Sequence, residues 1–337
     1  LYDYPDIKGE PVKHAAANIN PYLIDAPDLI IAKRKTQISG ENEMVYGNKP
    51  TDGGNLILST DEKEALIAAE PLAEKYIRPF VGAEEFINGK TRWCLWFHGV
   101  SDVKRNHDLK QMPKVQARIQ AVKAMRETSN KAATQKKAAT PWLFDEIRQP
   151  SDGNYLAIPE VSSETRRFIP IGFLSSENIA SNKLYMLASN TPLYHFGILN
   201  STMHNAFMRT VTGRLKSDFQ YSGGIVYNNF PFPESCRMLS ESDRPDPLRT
   251  AVETAAQAVL DARGQYRREA REAGLPEPTL AELYAPDAGY TALDKAHAVL
   301  DKAVDKAYGY KTGKNTDDEA ERTAFLFELY RKATAVA

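Results

Sequence analysis

Apolar positions in this chain follow two different rhythms. Short apolar runs between turn residues fill the first two-thirds, and helical spacing takes over in the last third. Leu23-Ile24 and Leu29-Ile30-Ile31-Ala32 read as short buried strands. Further extended segments are expected at residues 76–81, 92–97, 155–158, 168–174 and 184–187. A helix capped by Thr60 or Asp61 is expected to run to about Glu70. Val115, Ile119, Val122 and Met125 recur at helical spacing and predict one buried helix face. Thr191 with Pro192 marks a second helix start, Leu193, Phe196, Leu199, Met203, Phe207 and Val211 form its stripe, and Gly213 ends it. Residues 247–274, 293–308 and 317–335 predict three more helices, with apolar positions such as Val252, Val259, Leu300, Val304 and Phe325. Residues 1–20 read as a linker, 42–55 as a long loop and 276–288 as a connector. The expected class is α+β: a mixed α/β domain over residues 21–233, followed by a helical domain over residues 234–337.

One stretch stands apart. Residues 213–222 read as a strand, Gly223-Gly224 as a break and residues 225–231 as a second strand. A strand turns every second side chain to the same face, so Lys216, Asp218 and Gln220 are expected to project together. An ammonium donates to the O6 and N7 of guanine, and a carboxylate accepts from the N4 amino group of cytosine. The pair therefore suits one G·C pair, with Gln220 in reach of a neighbouring base. A solvated strand edge with an incidental charge pair explains the same residues.

The chain has 337 residues, 42% hydrophobic and 26% charged, enough for two ordinary domains. No apolar run has the length of a membrane span, and no signal peptide is recognisable. The first residue is Leu1, so the chain reads as part of a longer protein. Cys94 and Cys236 lie far apart and fit neither a zinc site nor a disulfide framework, which points to a reduced, cytoplasmic setting. Net charge is −1, which by itself speaks against nucleic-acid binding. The distribution speaks differently. Residues 101–140 carry ten Lys or Arg against three acids, and the tail after Pro233 is acidic. Phosphate contacts by one domain and a lysine-rich solvated helix both account for this.

Catalytic signatures are missing. Asn20-Pro21-Tyr22 approaches the Asn-Pro-Pro-Tyr loop of amino-methyltransferases but lacks the second proline and a preceding glycine-rich turn. Gly53-Gly54 lacks the Gly-Lys-Ser/Thr of a phosphate loop. His195 and His204 read as partnered structural histidines. Glu84-Glu85 and Asp317-Asp318-Glu319 read as surface charge, and no metal spacing appears. The chain is expected to do no chemistry alone, with no catalytic, cofactor or metal residues of its own.

Several ordered segments then carry a family resemblance. They are Asn18-Ile19-Asn20-Pro21-Tyr22-Leu23, Met44-Val45-Tyr46-Gly47-Asn48-Lys49-Pro50, Tyr76-Ile77-Arg78-Pro79-Phe80-Val81-Gly82, Ile158-Pro159-Glu160-Val161-Ser162-Ser163-Glu164, Gly213-Arg214-Leu215-Lys216-Ser217 and Tyr227-Asn228-Asn229-Phe230-Pro231. Together they resemble the MmeI-like (type IIL/IIG) adenine-N6 DNA methyltransferases of restriction-modification systems, over almost the whole chain. The resemblance implies a target-recognition domain and a C-terminal helical region, with the S-adenosylmethionine-binding methyltransferase domain upstream and residues 1–20 as the link to it. It implies double-stranded DNA as partner, and Mg2+ only where a nuclease domain is present. It also implies that Lys216 and Asp218 specify one base pair, and that Gln220, with Ser181, Asn182 and Lys183, specifies a neighbour. Arg166, Arg167, Arg209, Arg214, Lys33, Arg34, Lys35 and Lys49 are candidate phosphate contacts, with pairing to acids such as Glu160 and Glu164 as the alternative for the arginines, and Tyr46, Asn48 and Lys49 lie on a loop that can enter a groove. Two rival readings are a helical interaction scaffold without DNA specificity and a stand-alone enzyme.

Overall fold

The computed structural model describes residues 1–3, 9–234, 246–311 and 319–335. Cys236, Asp317 and Asp318 lie outside the described residues. The elements are α+β, and the chain divides into two compact units that are interleaved in sequence. One comprises residues 45–159 and 172–188, the other residues 1–44, 160–171 and 189–337.

The smaller unit holds two four-stranded sheets. In the first the strand order is Ile179–Ala180, Ile77–Val81, Trp93–Leu95, Ile57–Leu58. Leu58, Phe80, Cys94 and Leu95 from this sheet bury themselves with Val115, Ile119 and Val122 of the helix Pro113–Glu127. That stripe was legible because its spacing matches the helical period. In the second sheet the order is Met44–Tyr46, Leu184–Leu187, Asn154–Pro159, Gly172–Ser175. Its strand Leu184–Leu187 is buried throughout, which is why it reads as an unbroken apolar run.

Arg126 anchors this unit. It is fully buried, and its guanidinium donates to five carbonyls, those of Pro50, Thr51, Lys137, Thr140 and Leu143, at 2.8–3.2 Å. These carbonyls belong to loops on both sides of the helix, so one side chain closes both.

The larger unit is mainly helical. The single helix expected after Thr191 is two: Pro192–Leu199 and Thr202–Val211. Ser201 breaks it, since its hydroxyl accepts the amide of His204 and caps the second helix. Gly197 permits a close crossing. A Cβ there would lie 2.8 Å from Val252 Cγ1 and 3.1 Å from Ala256 Cβ of the helix Pro247–Glu272. Helices Thr291–Tyr308 and Glu319–Ala335 complete the bundle, and Leu280–Leu283 is a short helix inside the expected connector. Buried Arg263 ties three segments together, donating to Tyr284 Oη (2.8 Å), the Ile171 carbonyl (2.6 Å) and Asn200 Oδ1 (3.3 Å).

The Tyr227–Asn229 segment works as a clasp. Asn228 Nδ2 donates to the Arg34 carbonyl (2.9 Å), Asn229 Nδ2 to the Ala32 carbonyl (3.0 Å) and Tyr227 Oη to the Asn42 carbonyl (2.7 Å). In return Gln37 Nε2 donates to the Phe230 carbonyl (2.7 Å), and Ser39 Oγ accepts the Phe232 amide (3.0 Å). Residues 32–42 lack regular structure and are held by this clasp.

Some expectations fail for physical reasons. Leu23 and Ile30 are exposed and only Ile31 of those runs is buried, so no strand forms there. An apolar run does not report burial when side-chain amides of a later segment supply the ordering. The expected loop 42–55 contains the strand Met44–Tyr46. The helix at residue 60 is capped by Ser59, one residue early, in a capping box with Glu62. Residues 225–231 form a turn and the short 3-10 helix Tyr227–Asn229, where a strand was expected. Among the described residues no helix is long and apolar enough to cross a membrane.

Replacing Arg126 with Met strands five carbonyls. We expect it to lower the unfolding free energy by about 3 kcal/mol in denaturant titration. His204 is buried, its Nε2 lies 3.2 Å from Tyr221 Oη, and burial holds its pKa down at about 3 against 6.5 when solvated. The unfolded chain therefore binds a proton between those values that the folded chain refuses, so stability falls as pH drops below 6.5. His204→Gln should flatten that slope by up to about 1.4 kcal/mol per pH unit, read from unfolding curves between pH ~6.5 and ~4.5.

Candidate nucleic-acid interface

The helix Thr202–Val211 ends at Thr212, whose extended backbone leads directly into a strand. Gly213–Leu215 and Asp218–Gln220 then pair as a tight antiparallel hairpin, with Gly213 opposite Gln220, Arg214 opposite Phe219 and Leu215 opposite Asp218. The strand Val161–Ser162 adds a third row, placing Val161 opposite Gln220 and Ser162 opposite Phe219. The expected single strand is thus corrected to a hairpin, with Lys216 and Ser217 in its turn. A Lys-Ser pair carries none of the Asn-Gly or Asp-Gly signal of a two-residue turn, so the reversal was not legible.

Alternation sorts the hairpin into two faces. Phe219 is 5% exposed, and Ser162 is buried on the same side. The opposite face carries Gly213, Leu215, Asp218, Gln220 and Val161. Leu215 is 53% exposed, Lys216 is exposed, and Asp218 and Gln220 are half-buried. Lys216 sits at the tip with φ +59°, a left-handed backbone that a lysine seldom adopts. No hydrogen bond or ion pair to the described residues engages the side chains of Lys216, Asp218 or Gln220. Arg166 lies in electrostatic reach of Asp218: burial lowers its pKa, and the Asp218 carboxylate partly offsets this.

Arg214 braces the turn. Its guanidinium stacks 4.3 Å over the Phe219 ring, donates to the Ser217 carbonyl (2.8 Å) and pairs with Glu164 (3.3 Å). Arg209 is also occupied within the fold. It pairs with Glu319 at 2.5 Å and donates to the carbonyls of Arg166 and Arg167. Both of its terminal nitrogens thus have partners within the fold. Arg167 is exposed and lies over the Phe168 ring. Lys33 and Lys35 are exposed, while Arg34 is half-buried near the Tyr330 ring.

Ser181, Asn182 and Lys183 belong to the smaller unit, where they make the turn between Ile179–Ala180 and Leu184–Leu187. Ser181 is buried and its hydroxyl accepts the Lys183 amide (3.2 Å), so it shapes the turn; Asn182 is half-buried and Lys183 exposed. Lys49 is exposed, 3.7 Å from Glu146. Tyr46 stacks on Tyr185 at 4.2 Å. Asn48 is fully buried, with its amide bonded to Gln149 Oε1, the Ala180 carbonyl and the amides of Arg148 and Gln149. It braces the interior and does not project into a groove.

The basic segment sorts by residue type. Arg105 pairs with Asp102 (2.6 Å), Arg118 with Glu62 (2.5 Å), and Arg126 is internal. Lys104, Lys110, Lys114, Lys123, Lys131, Lys136 and Lys137 are exposed. The fold therefore consumes the arginines and leaves the lysines at the surface.

One arrangement was invisible in sequence. Ser189 Oγ lies 2.8 Å from His195 Nδ1, and Glu41 Oε2 lies 3.2 Å from Nε2 without hydrogen-bond alignment. The set has the residue types of a hydrolytic triad, but His195 is fully buried and also contacts Thr191. No reacting carbonyl can reach it, and its Nδ1 is held by Ser189 and Thr191 at the helix start. Asn20 is likewise closed on its own turn, accepting the amides of Tyr22 and Ile24. Glu84 and Glu85 make local pairs with Lys90 and Arg92. Among the described residues no group of three or more His, Cys, Asp or Glu could hold a metal ion.

Comparisons with known proteins identify the family of the chain. Residues 25–234 match the family model described as MmeI, target recognition domain, and residues 244–336 match MmeI, C-terminal domain. The DNA methyltransferase A of Bacillus subtilis (strain 168) is 36% identical over 324 residues, covering 96% of this chain and 33% of that protein. The solved type IIL restriction-modification enzyme MmeI in complex with DNA superimposes with a TM-score of 0.85 at 44% identity, covering 99% of this chain and 41% of that one. The chain thus spans between a third and about two-fifths of the length of these relatives. With more than half of its residues matched by the recognition-domain model, the chain belongs to the MmeI family, over its target-recognition and C-terminal domains.

Proposed function

We propose that this chain reads the target sequence for an adenine-N6 DNA methyltransferase of a restriction-modification system. Residues 21–233 act as the recognition domain and residues 234–337 as a helical domain that packs on it. Lys216 donates to guanine and Asp218 accepts from cytosine of one pair, and Gln220 reads a neighbouring pair; Asn182 and Lys183, on the smaller unit, are base-reading candidates in their own right. Exposed lysines, Lys33 and Lys49 among them, meet phosphates and set the register without carrying sequence information. The observation that carries this reading is the anchored hairpin whose three polar side chains have their hydrogen-bonding capacity unspent.

Methyl transfer is assigned to a region upstream of this chain that binds S-adenosylmethionine. Asn20, the residue nearest in sequence to a base-gripping asparagine, is occupied by its own turn. Flipping of the target adenine would take place in that upstream region. A nuclease domain, where present, would bring its own Mg2+ requirement. The setting is cytoplasmic, with cellular DNA as partner.

The test is competition binding of preferred against scrambled duplexes. Lys216→Ala should weaken binding to the preferred site by about 1–3 kcal/mol and leave the scrambled duplex unaffected. Equal loss on both would reduce Lys216 to a phosphate contact. Affinity for either duplex should fall steeply between two salt concentrations, whereas a scaffold without DNA affinity shows no such dependence.

A further inference from the structure

We infer that Gly213 is the point where the DNA base edges come closest to the protein, beside the base pair read by Gln220. The inference rests on the proposed reading of the hairpin and adds a residue to it. A glycine needs a reason, because it weakens a strand and contributes no side chain. Three internal reasons are absent at Gly213. Its φ is not in the left-handed range, so any residue can adopt its backbone. A Cβ built on it would meet nothing within 4 Å, so no neighbouring atom requires the space. It is not the left-handed residue of a helix end, since the preceding helix closes on Thr212 in extended conformation. Gly40, Gly54, Gly99 and Gly153 are equally open, and all of them sit at positive φ.

The remaining reason lies outside the protein. Gly213 is directly opposite Gln220 and two residues from Leu215, so its missing side chain would stand on the face that carries Asp218 and Gln220. That face is bounded by Leu215, 53% exposed, and by half-buried Val161. The absent side chain makes a notch level with the Gln220 side chain. A glutamine can bond the N6 and N7 of adenine bidentately, and a backbone that comes closer to the groove floor lets it do so in full. A Cβ on its cross-strand neighbour would hold the hairpin off by its own diameter. Gly213 is therefore a specificity-positioning residue, and it makes no polar contact itself.

The experiment uses the intact protein that contains this chain, with Gly213→Ala and Gly213→Val. Its probes are a duplex carrying the site selected from random sequences and a scrambled duplex of equal length. Both variants should match or exceed the parent in thermal midpoint, because any side chain suits this strand position better than hydrogen. Affinity for the selected site should fall stepwise with side-chain size, by about tenfold for Val, with the scrambled duplex bound as before. Should Gly213→Val fail to fold, Gly213→Ala with its own midpoint decides. Wild-type affinity for the selected site, or equal loss on both duplexes, overturns the inference. Asp218→Asn is measured in parallel. If it loses selectivity while the Gly213 variants do not, only the close-approach inference fails; if neither loses selectivity, the reading of the hairpin fails with it.

Discussion

Burial of Phe219 is the constraint on which the recognition surface depends. A two-residue hairpin standing alone has little to hold its register. Here the ring is inserted into the interior, Arg214 covers it, and the Thr212 hydroxyl bonds the Gln220 carbonyl. Because strand side chains alternate, fixing Phe219 inward fixes Asp218 and Gln220 outward. The internal bonds use Arg214, the Thr212 hydroxyl and backbone groups, so none of the outward polar groups is consumed in holding the hairpin up. A slip of one residue would bury the carboxylate and expose the ring, which the cost of an unpaired buried charge forbids.

The same division between structural and available groups runs through the chain. Arg105, Arg126, Arg209, Arg263 and Arg322 are engaged by carbonyls or carboxylates inside the fold. The planar guanidinium suits that task, since it can satisfy several acceptors at once. Lysines of the basic segment remain in solvent. A near-neutral net charge is therefore compatible with DNA binding: the charge that matters is the one the fold leaves at the surface.

Periodicity made much of the fold readable. Val115, Ile119 and Val122 are buried as their spacing implies, and the runs at residues 155–158 and 184–187 are buried strands. What periodicity could not supply was long-range satisfaction of polar groups. Asn228 and Asn229 looked like part of a strand, yet their amides clasp carbonyls nearly two hundred residues earlier. Gln37, likewise, donates to the Phe230 carbonyl across a comparable span. At the candidate site, residue identity pointed to Lys216, Asp218 and Gln220, and the alternation argument holds for Asp218 and Gln220 on one strand. It fails for Lys216, which the turn carries to the tip. The role argued for Gly213 required the cross-strand register, which no local pattern encodes.

Substitution of single guanines by 7-deazaguanine, one position at a time along the selected duplex, addresses the central claim most directly, because it deletes one acceptor atom and leaves the base pair intact. The account predicts one position at which wild-type affinity falls by about tenfold and at which Lys216→Ala, already weaker, shows no further loss. An affinity that falls at no position, or a loss that persists undiminished in Lys216→Ala, would contradict it.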